Sequence, residues 1–402
     1  MSIQVGEKME LLTIVHRNKI EYLPIIYAFS DEITRHILFF DHAKEERGLA
    51  QELKASIERF NAKYGFKTEI KLIEIDEDSK KDMEQIAQVF KGKSENVYLN
   101  GAGADTALFT VLSSIILSNG GKVLAYDKED NSYNVITKNG FLNKKIKRSM
   151  NLEDCLTLMG ETILDEVSKP KILQQKEALE LLFSDIKRMF KIRFLLKTRK
   201  TKELKNNYPK IVEALKVLKI VDANGAILGQ EGFVKFGYLF EEFVYVNLVP
   251  FDFDDVKVGV KIEFDKEQVA YRNIRVINEF DILTIKENKI GFIECKLGDS
   301  SDPLSTVYKS DSVMEYFGES ATSMILNMQR NKQAHIKNPK GNFGESVIYR
   351  AKTKKVTVYN AFDFSKNSFS AKIKEAFGVD LKEQYKKEFE QKGLSELSKK
   401  WS

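Results

Sequence analysis

Short apolar runs of strand type alternate with helix-type stretches over the first 137 residues, and this alternation restricts the possible folds more than any other feature of the chain. Strands are expected at 9–17, 35–41, 68–76 and 96–100, and helices at 20–30, 45–65, 79–93 and 104–121. The helix over 45–65 ends on Gly65, and Ser79 stands at an N-cap position. Segments 122–127 and 132–137 read as a closing hairpin. Strands separated by helices pair in parallel through crossovers, which builds a doubly wound α/β sheet. Such sheets bind ligands beyond the C-terminal ends of their strands. Two loops stand there. His16, Arg17, Asn18 and Lys19 follow the first strand, and Asn100, Gly101, Ala102, Gly103, Asp105 and Thr106 follow the fourth. Small residues leading straight into a helix let backbone amides approach an anion. The second loop is not a dinucleotide fingerprint, because the third glycine is missing and the strand before it is a late one.

From about 150 to 232 the periodicity becomes helical, as in "ILQQKEALELLFSDIKRMFKIRFLLK" and "NNYPKIVEALKVLKIV". Mixed elements then return: a helix at 234–248, strands at 256–264 and 270–276, a hairpin at 279–297, a helix at 303–317, strands at 346–350 and 354–361, and a charged amphipathic helix at 381–401. This divides the chain into 1–149, a helical connector at 150–232, and 233–402. A length of 402 residues suits two or three cores. Two cysteines exclude a disulfide framework and fit a reducing compartment. The opening residues lack a signal-peptide pattern and no apolar run is long enough to span a bilayer, so a cytoplasmic location without membrane contact is expected. The net charge of +5 permits a polyanionic partner without demanding one. Basic clusters at 138–148, 197–205 and 351–356 have solvated faces as their plainest explanation.

The hairpin "EFDILTIKENKIGFIECKLG" places Asp281, Glu294 and Lys296 in strands that are apolar on both faces. With Glu287-Asn288 as the turn, Lys286 faces Lys289, and counting back sets Asp281 opposite Glu294; a different turn that slips the pairing by two sets Asp281 opposite Lys296, with all three still clustered. Lys296 shares the face of Glu294. A surface ion-pair ladder would explain the same residues in a solvated hairpin, but buried charges need a partner or a metal. Two adjacent carboxylates with a main-chain carbonyl suit Mg²⁺ or Mn²⁺. A lysine beside them can hold a water or stabilise charge on a transferring phosphoryl group. Upstream, Glu241 lies four residues after Gly237 and four before Tyr245 on an expected helix. The glycine there is read as leaving room for the acid to face the sheet.

Gly237 and Glu241, then Asp281 in "NEFDIL", then Glu294 and Lys296 in "ECK" together resemble the PD-(D/E)XK nuclease superfamily, with Phe280 where a proline often precedes the aspartate. The resemblance implies that Asp281, Glu294 and the carbonyl of Cys295 hold the metal, that Glu241 acts directly or through water, and that Lys296 serves the attacking water. Asp302 and Pro303 open the next helix, on which Tyr308 and Lys309 are candidate phosphate contacts. A Rossmann-like first domain, a helical connector and this restriction-endonuclease-like core, in that order, resemble the CARF nucleases, ancillary effectors of type III CRISPR systems. The resemblance implies a homodimer whose CARF domains bind a cyclic oligoadenylate, most often cyclic tetraadenylate, and a nucleic acid substrate, DNA or RNA. The two loops named above would line that cleft. Two other readings compete. Arg330 and His335 form an R-x4-H pattern of the kind used by metal-independent HEPN ribonucleases. A CARF-type transcription regulator without catalysis would use 197–220 to read DNA.

Overall fold

The structure is a computed structural model that describes residues 8–41, 44–75, 84, 86, 88, 90, 95–102, 106–264, 276–297, 303–328, 345–360 and 366–386. The first unit runs β1 (Met9–Ile14), α1 (Leu23–Ala28), β2 (Ile33–Asp41), α2 (Lys44–Tyr64), β3 (Glu69–Ile75), β4 (Val97–Asn100), α3 (Thr106–Ser118), β5 (Lys122–Asp127), β6 (Ser132–Thr137) and β7 (Gly140–Lys145). Its seven strands lie in the order β3-β2-β1-β4-β5-β6-β7. The first five pair in parallel and the last two in antiparallel. Strand order reverses between β1 and β4, which makes their C-terminal ends the topological switch point where a ligand crevice opens. The expected parallel sheet and closing hairpin are both present. The basic stretch at 138–148 adds a seventh strand, β7, beyond the expected hairpin.

The middle of the chain is α4 (Leu152–Met159), β8 (Thr162–Asp165), α5 (Lys169–Gln174), α6 (Lys176–Phe183), α7 (Ile186–Lys197), α8 (Thr201–Asn207) and α9 (Pro209–Val217). Helices dominate it, as their three-and-four spacing requires. The exception is β8, which pairs with the far edge of the second sheet.

The last part is α10 (Gly229–Leu248), β9 (Asp255–Phe264), β10 (Val276–Lys286), β11 (Lys289–Lys296), α11 (Pro303–Phe317), β12 (Thr322–Asn327), α12 (Glu345–Thr353), β13 (Val356–Asn360) and α13 (Lys366–Phe377). Its sheet runs β13-β12-β11-β10-β9-β8. Two expectations are corrected. Residues 346–350 are helical, with Val347 and Ala351 buried four apart while Ile348 and Tyr349 face solvent. That is a helical spacing, and it outweighs the strand preference of a Val-Ile-Tyr run. The strand Thr322–Asn327, next to β11, stands where no element was expected. The expected strand 270–276, the helix 79–93 apart from isolated residues, the Asp302 cap and most of the tail helix lie outside the described residues, as do Arg330 and His335.

One core cluster joins Tyr22, Leu23 and Phe40 of the first sheet unit to Phe280, Leu283, Phe292 and Phe317 of the second. The other face of the second sheet packs Ile282, Ile293 and Met324 on Phe240, Phe243 and Val244 of α10 and on the connector helices. The turn of the β10–β11 hairpin is fastened to the first unit by Asn288. Its φ is +64° and it is buried. Its side-chain carbonyl accepts from the Met150 amide at 2.8 Å and its side-chain amide donates to Asn131 Oδ1 at 2.9 Å. Asn288→Ala removes two buried hydrogen bonds and forces alanine into a left-handed conformation, so a loss of about 3 kcal/mol is expected in denaturant unfolding. Asn288→Gly should lose less, because only the hydrogen bonds go. Equal losses for both would show that backbone conformation contributes nothing.

Candidate active site

The hairpin register follows the counting argument: Lys286 pairs with Lys289 and each pair back to Ile282 with Ile293 keeps the same frame. Asp281 and Glu294 come next in that frame. Here the strand departs from regular pleating. β9 pairs with Phe280 and with Ile282 but not with Asp281, and the residue it skips, Gly259, has φ +56°. Phe280 belongs to one core cluster and Ile282 to the other, although residues two apart in a regular strand share a face. The irregularity at Asp281 therefore turns β10 over. One residue is passed over on each strand, so the register on either side is kept.

The Asp281 carboxylate accepts the Cys295 amide at 2.6 Å. Glu294, 7 % exposed, is ion-paired with Lys296 and lies 3.7 Å from Lys309 of α11. Glu241, 9 % exposed on α10, faces the same acids. Burial first, then the charges of Asp281, Glu279 and Glu294, push the Glu241 carboxyl up to about 9. Burial and then Glu294 push Asp281 up to about 6, against the pull of the Cys295 amide and of Lys296 and Lys309. Burial works against the Lys296 ammonium, yet Glu294 and Asp281 hold it above the ordinary lysine value. The Cys295 thiol is raised well above its usual value, by burial and then by Asp281 and Glu241, so it stays protonated and inert.

Two further residues belong to this neighbourhood. Glu279 raises the Glu241 carboxyl, and its position two before Asp281 was the signal that could have found it. Asn327, buried, pairs in register with Lys296 on the unexpected β12. Gly237 corrects an expectation: a Cβ added there would meet nothing within 4 Å, so it is not what makes room for Glu241. Tyr308 is exposed, with the Arg350 guanidinium 6.0 Å from its ring centre, and so is not a core residue. Among the described residues no three His, Cys, Asp or Glu side chains stand close enough to hold an ion. Glu294 is turned onto its lysines in this arrangement.

At the switch point of the first sheet, His16 Nε2 is 3.1 Å from the Ala102 carbonyl, and burial holds its imidazole below the usual histidine range. Asn100 is buried, donates to the Tyr22 carbonyl at 3.0 Å, and shapes the loop from inside. The Gly101 amide donates to Leu124 at 2.9 Å, and a Cβ on Gly101 would strike the Phe109 ring at 2.3 Å. Lys19 bonds Glu52 at 2.8 Å and the Met159 carbonyl at 3.1 Å, which draws its charge away from any ligand. Asn18 donates to Glu21 at 3.0 Å. Gly103 and Asp105 lie outside the described residues, as does the side chain of Thr106, which opens α3. Arg17 and Asn18 also line a cavity of about 630 Å³ shared with Asp311, Tyr316, Glu319, Lys354 and Lys355, where the first sheet meets α11.

Residues 231–341 match the family model of the Card1-like endonuclease domain. No curated protein matches the chain by sequence. Among solved structures, protein VC1899 from Vibrio cholerae superposes with a TM-score of 0.68 at 15% identity, over 91% of this chain and 98% of that one. Can2 from Sulfobacillus thermosulfidooxidans, solved in complex with cyclic tetra-adenylate, superposes with a TM-score of 0.62 at 16% identity, over 87% of this chain and 95% of that one. At these identities the likeness is one of fold, and it spans both sheets. Residues 231–341 thus form a Card1-like endonuclease domain, which the chain carries behind a doubly wound, Rossmann-like first sheet.

Proposed function

We propose that this chain is a metal-dependent endonuclease activated by a cyclic oligoadenylate, cyclic tetraadenylate foremost, in type III CRISPR antiviral defence. The observation that carries the reading is the convergence of Glu241, Asp281, Glu294 and Lys296 at the turned-over strand. The match to the Card1-like endonuclease domain supports the chemistry, and the shared fold with cyclic tetra-adenylate-bound Can2 supports the ligand class. DNA, as nicked duplex or cut single strand, is the substrate proposed first, with RNA second. A two-fold-symmetric activator suits a homodimer that binds it between two first domains.

The donor set fits a hard divalent cation. Two carboxylates and a main-chain carbonyl are oxygen ligands of the kind Mg²⁺ and Mn²⁺ take, and the raised Asp281 carboxyl lacks cationic compensation beyond the lysines. Asp281, Glu294 and the Cys295 carbonyl would hold the ion. Bound there, it would polarise a phosphate oxygen and make a coordinated water acidic. Lys296 stays an ammonium, so it orients the attacking water or a non-bridging phosphate oxygen by donating N–H, and does not take a proton. Glu241 holds its proton near neutral pH and acts through a hydrogen-bonded water. Lys309 and the exposed Tyr308 present a charge and a hydroxyl to an approaching phosphate. Activator contacts would rest on His16, Arg17, Asn18, Gly103, Asp105 and Thr106, with Asn100, Gly101 and Ala102 holding the loop's shape and Lys19 outside the set.

The test is a matrix of supercoiled plasmid, single-stranded DNA and RNA, each with Mg²⁺, Mn²⁺ or EDTA, with and without cyclic tetra- or hexaadenylate. Cleavage that needs both a divalent ion and cyclic tetraadenylate is expected. Cleavage surviving EDTA would remove the metal, and cleavage indifferent to every cyclic nucleotide would remove the sensor.

A further inference from the structure

Residues 186–219 contain twelve Lys or Arg against two Asp or Glu, a net of ten positive charges in a chain whose total is +5. All other residues together are therefore net acidic. Glu203 and Glu213 lie 3.7 and 2.7 Å from Lys200 and Lys216. Two acids cannot neutralise twelve cations within the segment. Lys187, Lys191, Lys197, Arg199, Lys200, Lys202 and Lys205 are all exposed.

The cations have an ordered arrangement. Met189, Ile192, Leu195 and Leu196 bury one side of α7. On the other side Lys187, Lys191, Phe194 and Thr198 follow one another at helical spacing, all exposed. Phe194 is 56 % exposed, a large apolar ring set among cations. Arg199, with φ +54°, turns the chain from α7 into α8. There Arg199, Lys200, Lys202, Asn206 and Asn207 line a broad trough of about 620 Å³ with one acid, Glu203, among the donors. The connector is also held firmly to the helix that bears Glu241: Phe183 of α6 packs on Phe236, Phe240 and Phe243 of α10 with ring centres 5.0–6.1 Å apart.

We propose that this face of α7, α8 and the loop between them is the docking surface for the sugar-phosphate backbone of the nucleic acid substrate, with Phe194 as a platform for an unpaired base. The proposal rests on the nuclease reading above. Charge complementarity selects the occupant: spaced Lys and Arg match repeating phosphates, and an aromatic among them adds stacking that tolerates any base. An anionic membrane would draw on the same charge, and it is an outcome of the test.

Binding of labelled single-stranded and duplex DNA to the full chain is measured by fluorescence anisotropy in EDTA with cyclic tetraadenylate, over a salt series. The variant carries Lys197→Glu, Arg199→Glu and Lys202→Glu, and a control carries Lys138→Glu, Lys145→Glu and Lys147→Glu on the first unit, all exposed positions. Losing three phosphate contacts should weaken binding about tenfold or more and flatten the slope of log affinity against log salt by about 2 for single strands. Phe194→Ser should weaken single-strand binding more than duplex binding. Affinity within twofold of the parent, an equal loss in the control, or tighter binding to phosphatidylserine vesicles than to DNA would each overturn the proposal. A parent that binds DNA through these residues yet never cleaves would defeat the nuclease reading alone, and a parent that cleaves while the variant binds normally would defeat this one alone.

Discussion

Lys296→Ala is expected to lower activator-dependent cleavage by about a hundred- to a thousandfold, the usual loss when a donor aimed at developing charge is removed. The ammonium is held above the ordinary lysine value by Glu294 and Asp281, so it is charged at any working pH and its contribution is electrostatic. Glu294→Gln should reach the same floor by another route, because it takes a carboxylate from the donor set and the ion-pair partner from Lys296. Both variants should still bind cyclic tetraadenylate. Breaking a partly buried pair destabilises, so melting curves must accompany the rates. Lys296→Met, which keeps the apolar stem, should be better folded than the alanine variant and equally inactive. Cleavage by well-folded Lys296→Met within tenfold of the parent would remove this lysine from the reaction.

Glu241→Gln should give the opposite pairing of effects, a more stable protein with little activity. The Glu241 carboxyl is raised from 4.5 to about 9 by burial and three neighbouring acids. An acid whose folded value is raised contributes full stability below its unfolded value and loses it as pH rises towards the folded one. The metal-free protein should therefore weaken from pH 4.5 up to about 9, by roughly 3 kcal/mol at pH 7 from this group. Glutamine cannot ionise, so the variant should recover much of that loss and show a flatter stability profile between about pH 5 and 9. Chemical denaturation across that range in EDTA reads it directly. A parallel shift at all pH values, or no gain at pH 8, would mean that the carboxyl is solvated or paired. Stability withheld at a site and released by removing a functional group is a familiar trade-off.

Much of this site is legible in the amino-acid sequence because a hairpin's register follows from its turn. Glu287 and Asn288 do take positive φ, and the count from Lys286 and Lys289 runs unbroken to Ile282 and Ile293. Helix spacing likewise brings Glu241 to the sheet. Other features are hidden. The turnover at Asp281 lies opposite Gly259 of the neighbouring strand, whose positive φ no local pattern announces. Helix Glu345–Thr353 reads as a strand because a short β-branched run masks the four-residue spacing of Val347 and Ala351. Lys19 has the look of a phosphate ligand, but its partners, Glu52 and the Met159 carbonyl, come from 33 and 140 residues away.

Local pattern accounts for the alternation that makes a parallel sheet, the turn that sets a register, and the identity of the acids and the lysine. These follow from steric periods of two and 3.6 residues, which act over a few neighbours. Packing in three dimensions sets which charges are buried together, how the strand turns over at Asp281, and which cations are already paired. Burial and Coulomb interaction depend on distance in space. The residues that raise Glu241 come from strands about forty to fifty positions further along the chain.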